Sequence, residues 1–298
     1  MRSLSTCPIC GSGSIRTYVD APNETLTPIS LGSSRVKVAH GTILRCQSCG
    51  FGFLASRVSD EQLAKLYSQL DHQIYEAEAE GRARTAIQHF KIVQRFVVSG
   101  SLLDVGCASG AFLQLCAQNG FRVTGVEPAR GLANRAKEVL SGEGEVFCAT
   151  LQGASLRPAA FDALTLWDVL EHVPEPIEFL HLCGSLLKPG GYLFANVPDL
   201  DSFQARTFGK RWPLLLPEHL NYFTRKSLAL CAGKAGFELL CLGRRAAFFT
   251  VGYILYRLSQ HKIPGAALGK KLVDRTLLNR LIVPIPLGET YGAWKRQL

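Results

Sequence analysis

The sequence predicts an α/β fold: a doubly wound, mostly parallel seven-stranded sheet with an N-terminal cysteine module and a basic C-terminal helical insertion. Three observations lead there. From residue 101 to 198, apolar runs of strand length alternate with segments of helix length, as in parallel strands joined by crossover helices. Two Cys-x-x-Cys pairs stand ahead of that region, and residues 206–298 carry 16 Lys and Arg against 4 Asp and Glu. With 298 residues and 47% apolar composition, the chain can bury one substantial core with small appendages, which excludes a disordered chain.

Residues 1–56 form the first unit, where alternation such as Arg35-Val36-Lys37-Val38 predicts short antiparallel strands. Residues 57–98 form a helical linker or cap. Ser59, Asp60 and Glu61 can cap a helix holding Leu63, Leu66 and Tyr67. A second helix is expected from Gly81 to Val98, with Ile87, Phe90, Ile92, Val93 and Phe96 largely on one side. Residues 99–245 hold the sheet core, with strands at 102–106, 122–127, 145–149, 161–167 and 191–197 and helices at 110–119, 130–140 and 175–187. Phe237 to Leu242 and Thr290 to Trp294 are candidate sixth and seventh strands, so that 246–298 comprises the basic, apolar insertion and the final strand. The uncharged run from Ala246 to Tyr256, flanked by Arg244, Arg245 and Arg257, falls short of the ~20 residues that span a bilayer as a helix. It reads first as a core or interface helix and second as a segment lying on a membrane surface or closing over a greasy substrate.

Cys7-Pro8-Ile9-Cys10-Gly11 and Cys46-Gln47-Ser48-Cys49-Gly50 each aim two thiolates at one point, with a glycine that lets the chain turn back. Four thiolates suit tetrahedral Zn2+, and with every position filled by sulfur no water can be activated, so the expected zinc is structural. The 35 residues between Cys10 and Cys46 imply a zinc ribbon with an extended hairpin. Cys107, Cys116, Cys148, Cys183, Cys231 and Cys241 lack paired spacing and read as core residues. The first residues contain no apolar run of signal-peptide length, so a cytoplasmic location with reduced cysteines is expected.

Asp104 precedes a turn with small residues at Gly106, Ala108 and Gly110 and with Cys107 inside it; Glu127-Pro128 closes the next strand. Such a turn lets a ligand approach the backbone, and the helix after it offers free N–H groups. Glu127 is placed to accept two vicinal ribose hydroxyls, and Asp168 follows a later strand at the mouth of the sheet. A dinucleotide fingerprint wants G-x-G-x-x-G, whereas Ala108 replaces the second glycine here and Ala111 takes the sixth position, a weak match to an NAD site.

The turn resembles motif I of the class I S-adenosylmethionine-dependent methyltransferases, and the resemblance continues in order over roughly residues 90–243. The stretch from Phe161 to Val173 resembles that family's fourth-strand signature, and Leu186 to Leu193 resembles the helix-turn-strand before its fifth strand. The resemblance implies a Rossmann-like core holding S-adenosylmethionine at Asp104, Gly106, Cys107, Ala108, Gly110, Glu127, Pro128 and Asp168, the last near the amino acid end and the reacting methyl. Thr150-Leu151-Gln152 lacks the acidic residue that often meets the adenine amino group.

The segment from Pro217 to Thr224 resembles one in methyltransferases that pair a cysteine-rich zinc module with this core, including deoxysugar C-methyltransferases. That resemblance implies His219 as a base and Glu218 as its orienter, and His172 stands as a further catalytic candidate. The sugar enzymes' upstream tyrosine is matched by Leu216, which keeps O-methylation open beside C-methylation. Two functions follow. The first is methylation of a small anionic or amphipathic acceptor, such as a sugar nucleotide, a glycolipid precursor or a quinone-type ring. Charge agrees with it: residues 1–205 hold 17 Lys and Arg against 20 Asp and Glu, so the net +12 of residues 206–298 faces something anionic. The second is RNA methylation, with the zinc module and the basic region as binding surface. Phe248, Phe249, Tyr253 and Tyr256 lie in an uncharged run rather than among cations, which favours the small molecule. A non-catalytic adaptor would need a blocked pocket, yet the pocket residues are all present. Nothing in the sequence sets the oligomeric state.

Overall fold

The computed structural model of the chain describes residues 5–21, 41–56, 78–216, 218–260 and 263–297. The alternating segment at Arg35 to Val38, the helix expected after Ser59, and Pro217 lie outside the described residues. In chain order, β1 (Ile15–Val19), β2 (Ile43–Cys46) and β3 (Gly52–Leu54) precede α1 (Ala79–Gln94). The alternating core follows as β4 (Gly100–Val105), α2 (Ala111–Gln118), β5 (Phe121–Val126), α3 (Arg130–Leu140), β6 (Gly144–Phe147), β7 (Phe161–Trp167), α4 (Pro176–Leu186) and β8 (Leu187–Pro198). Then come α5 (Phe203–Phe208), β9 (Asn221–Tyr222), α6 (Arg225–Lys234), β10 (Phe237–Thr250), α7 (Val251–Gln260), α8 (Ala266–Val273) and β11 (Ile282–Arg296).

Seven strands form one sheet in the order β10-β11-β8-β7-β4-β5-β6, and β11 alone among them runs antiparallel to its neighbours. The predicted α/β class and strand count hold. The inner strands are apolar throughout because both faces are covered. Leu103, Leu164 and Leu193 meet Leu180 and Cys183 of α4 and Leu228 of α6 on one side. Leu102, Ala163 and Phe194 meet Phe90 and Val93 of α1, Leu113 of α2 and Ala136 of α3 on the other. From β4 the chain winds outward to β6, then returns to place β7 on the other flank of β4. Two crossovers thus diverge between β4 and β7, and a crevice opens beyond their carboxyl ends.

Three sequence expectations change in extent. Helix α1 stops at Gln94 rather than Val98 and buries Ala86, His89, Phe90 and Val93, with Ile87 only partly covered. The outer strands are much longer than the apolar runs suggested: β10 passes through Arg244 and Arg245 to Thr250, so Ala246 to Thr250 is strand and only Val251 onward is helix. Cys148 is exposed and Cys241 partly so, unlike the buried Cys107, Cys116, Cys183 and Cys231.

The cysteine module is built into the body rather than appended to it. β1, β2 and β3 make an antiparallel sheet whose fourth strand is β9, from the far side of the core. Gly52 sits so close to Leu200 and Tyr222 that a Cβ there would meet them at 2.9 and 3.1 Å. Phe51 stacks edge-on against Phe223 at 5.0 Å, and Lys226 Nζ donates to the Ser48 carbonyl at 2.8 Å. Arg45 pairs with Asp201 at 2.8 Å. A boundary at residue 56 therefore separates segments of sequence, not packing units. Among the described residues, no helix is long and apolar enough to cross a membrane.

Gly110, at φ +83°, caps α2 from the left-handed region, and a Cβ there would meet the Ala136 backbone and side chain at 3.0 Å. Gly110→Ala should therefore destabilise by about 1–3 kcal/mol from backbone strain plus the clash. Gly142 has a similar φ of +89° and open space around it. Gly142→Ala should show the backbone cost alone, about 1–2 kcal/mol. Denaturant unfolding of the two variants checks the difference.

Candidate functional site

The crevice is a cavity of about 1390 Å3 spanning the carboxyl ends of β4, β5 and β7 and the segment that leads into β9. This exceeds the ~300–1,000 Å3 of an ordinary small-molecule pocket and leaves room for two ligands side by side. Asp104, Gly106, Cys107, Ala108, Glu127, Pro128, Asp168, His172, Glu218 and His219 all line it. Gly110 does not; it stands behind the turn against α3.

One half of the cavity is built on Glu127. Its Oε2 accepts the Ala108 N–H at 2.9 Å and its Oε1 accepts the Ala129 N–H at 2.8 Å, tying the turn after β4 to the entry of α3. Gly106 and Ala108 hold φ of +75° and +48°, so the small residues serve a left-handed turn, alanine included. A Cβ on Gly106 would also meet Val169 at 2.8 Å. Burial pushes Glu127 above its ordinary value, opposed by the two N–H donors. Asp104 is buried beside it and accepts the Thr165 hydroxyl at 2.6 Å. Desolvation pushes its pKa up to about 7, against the Thr165 bond and helped by the Glu127 charge.

The middle of the cavity is an ionic chain that the motifs did not reveal. Asp168 sits at φ +57°, donates its N–H to Asn196 Oδ1 at 3.1 Å and takes the Asn196 amide on its carboxylate. Arg245 Nη2 reaches Asp168 at 3.4 Å and Glu289 at 2.8 Å. Its Nη1 lies 2.6 Å from His89 Nε2. Arginine has no acceptor, so Nε2 receives and the His89 proton is on Nδ1. The His89 ring stacks on Trp167 with centroids 3.9 Å apart and planes 7° from parallel. Burial and then the Arg245 charge hold His89 neutral, well below its ordinary pKa. For Asp168, desolvation acts upward, but Arg245 and Asn196 outweigh it and keep the carboxylate ionised. The register pairs Arg245 with Glu289 across β10 and β11, so their contact follows from the ladder itself.

The other half holds two histidines. The His219 and His172 rings meet edge-on at 4.8 Å. His219 Nδ1 lies 3.0 Å from the Leu214 carbonyl and His172 Nδ1 lies 3.0 Å from the Glu218 carbonyl. The orienter of His219 is therefore Leu214, and Glu218 contributes a backbone oxygen to His172 in place of a carboxylate to His219. Since a carbonyl only accepts, both rings carry hydrogen on Nδ1 and leave Nε2 unprotonated while neutral. Desolvation and the neighbouring His172 keep His219 well below its ordinary pKa. Asn221 fixes the pair by donating to the Leu170 and Val173 carbonyls at 3.0 and 2.6 Å, binding the 3-10 turn at residues 170–172 to β9. Glu171 completes the group: it is buried, its Oε2 lacks a hydrogen-bond partner, and burial raises it well above its ordinary value. Ligand atoms of Glu171, His172 and His219 all lie within 4.8 Å of one another, a spacing that also suits a divalent cation. Away from the cavity, Cys7, Cys10, Cys46 and Cys49 bring their sulfurs together in the same way, with Cys7 to Cys49 at 3.6 Å and Cys10 to Cys46 at 3.5 Å.

Known proteins resemble the chain at three levels. A family model described as a methyltransferase domain matches residues 75–242. The ubiquinone biosynthesis O-methyltransferase of Chromobacterium violaceum is 31% identical over 202 residues, covering 63% of this chain and 87% of that protein. The enzyme of the same name from Leptothrix cholodnii is 32% identical over 150 residues, covering 46% of this chain and 62% of that protein. Among solved structures, a methyltransferase of Thermotoga maritima, described as a possible histamine N-methyltransferase, aligns with a TM-score of 0.53 at 16% identity, covering 79% of this chain and 100% of that one. Phosphoethanolamine N-methyltransferase 2 of Haemonchus contortus, solved with S-adenosyl-L-methionine, aligns with a TM-score of 0.53 at 16% identity, covering 83% of this chain and 62% of that one. At such identities the structural likeness is one of fold.

Asp104 offers a pH test of the site. Below pH 3.8 it is protonated in folded and unfolded chains alike; between there and about 7 the unfolded chain ionises while the folded site keeps its proton. Its contribution to stability is therefore lost as pH rises through that window. Without ligand, the melting temperature of the wild type relative to Asp104→Asn should fall from pH 3.8 to about 7 and level off above it. A difference that does not change with pH would contradict the buried, protonated carboxyl.

Proposed function

We propose that this chain, which belongs to the class I S-adenosylmethionine-dependent methyltransferases, methylates a hydroxyl oxygen on a small amphipathic ring of the quinone type. What carries the reading is that Glu127 and His219 open into one cavity large enough for cofactor and acceptor together. The cofactor supplies an electrophilic methyl group when bound. Glu127 would hold the ribose hydroxyls with the lone pairs that Ala108 and Ala129 leave free, beside the turn from Gly106 to Ala108. Asp168, kept ionised by Arg245, would hold the cationic amino acid end.

His219 takes the acceptor's proton on Nε2 while Leu214 holds Nδ1. A ring kept neutral by burial is a weak base, so it suits a phenolic hydroxyl of pKa ~10 far better than an aliphatic alcohol. The relatives' printed name, ubiquinone biosynthesis O-methyltransferase, supports the same acceptor class. Zinc belongs to the reading as a structural ion. Four sulfurs at ~2.3 Å from one tetrahedral ion stand roughly 3.8 Å apart, close to the 3.5 and 3.6 Å between paired sulfurs here. Through β3 and β9 that ion stiffens the segment bearing His219.

Calorimetry with S-adenosylhomocysteine, paired with turnover on a catechol or hydroquinone, tests the assignment. Glu127→Ala should weaken binding at least about tenfold through the loss of charge-assisted hydrogen bonds. His219→Ala should keep that affinity and lose about 100-fold or more in kcat. Absence of heat from the wild type would remove the methyltransferase reading of this site, and unchanged turnover in His219→Ala would remove the base. Chelation offers a separate check: one zinc per chain should be lost with the melting temperature and turnover both falling, while affinity for S-adenosylhomocysteine stays within about threefold, because the nucleoside contacts lie on β4 and β5.

A further inference from the structure

We infer that the insertion between β10 and β11 docks this protein on a bilayer surface that contains anionic phospholipid. Six of the eleven large apolar side chains exposed among the described residues fall between Ile263 and Leu281. Leu268 and Leu272 stand one turn apart on α8 at 63% and 65% exposure, and Leu277 reaches 91%. Exposed apolar residues scattered singly are ordinary; a cluster of this density is not. Among them stand Lys270, Lys271, Arg275 and Arg280 against Asp274 alone, a net charge of +3 over residues 263–281. Leucines ringed by cations on a short helix match an interfacial element, whose apolar face enters the headgroup region while its charges meet acidic lipid.

Placement relates the surface to the cavity. β10 runs in the same direction as β8, so Thr250 lies at the carboxyl ends of the strands, the rim on which the cavity opens. The insertion leaves and returns at one point, where the Val251 N–H donates to the Leu281 carbonyl at 2.9 Å. Phe248 and Phe249, at its root, line the cavity. A surface docked there presents an amphipathic ring to the cavity without carrying it through water. The other occupants fit less well. Two copies meeting through this patch would set like charges against each other, and nucleic acid would want aromatic rings where leucines stand.

Co-sedimentation of the full chain with phosphatidylcholine vesicles, with and without phosphatidylglycerol, tests the inference separately from catalysis. The wild type should pellet with phosphatidylglycerol vesicles, less so as salt is raised, and remain in the supernatant with phosphatidylcholine alone. A Leu272→Glu, Leu277→Glu variant should bind those vesicles at least about tenfold more weakly, given the cost of placing carboxylates against acidic lipid. Its melting temperature and its affinity for S-adenosylhomocysteine should be those of the wild type, since both side chains are exposed and outside the cavity. Failure of the wild type to bind, equal binding by the variant, a dimer that the variant abolishes, or RNA binding in place of vesicle binding would each overturn it. None of these results bears on Glu127 or His219.

Discussion

The constraint on which the molecule depends is the change of winding direction between β4 and β7. Two crossovers that diverge at one point cannot fill the space beyond the strand ends, so the tips of neighbouring strands face a void. Strand tips bear carboxylates there: Asp104, Glu127 and Asp168 converge on one crevice although they are spread over 65 positions of sequence. Each is handled differently. Burial pushes Asp104 up to about 7, Glu127 is clasped by two backbone amides, and Asp168 is ionised by a guanidinium. Three acidic groups held in such different surroundings suit a ligand that has a cationic end and a neutral, hydroxyl-bearing one.

A second dependence joins the cysteine module to the acceptor side. β9 is only two residues long and would have no stability as a free strand, yet it is the fourth strand of the cysteine sheet and also carries Asn221, which fastens the turn bearing His172. One short strand thus serves both the cysteine module and the turn beside which the two histidines meet. That is a physical reason for an enzyme of this kind to retain a module remote from its cofactor.

Most of the fold was legible in the sequence. The helix at 130–140 and the strand at 161–167 fall where periodicity put them, because fully buried strands read as unbroken apolar runs and helix α3 has one apolar stripe. The Cys-x-x-Cys pairs and the carboxylate positions were readable because each depends on spacing along the chain. What escaped depends on partners far apart. β10 continues through Arg244 and Arg245 because Arg245 meets Glu289 across the ladder, and no local pattern predicts a buried arginine inside a strand. His89 looked like one helical residue among many, yet it stacks on Trp167 and receives from Arg245. The Leu214 carbonyl that orients His219 carries no side-chain signature, so a motif that offered Glu218 for the task pointed to the wrong group.

The insertion rests on a narrow stem. Ile282 pairs with Thr250, and the ladder beyond runs unbroken in register only as far as Ala247 and Ile285 before the strands readjust at Arg245 and Glu289. The pairing of β11 with β8 begins only at Glu289, on the far side of that readjustment. A rearrangement of the insertion therefore reaches the ladder that holds Arg245 and Glu289 only after crossing a four-pair stem and a register shift.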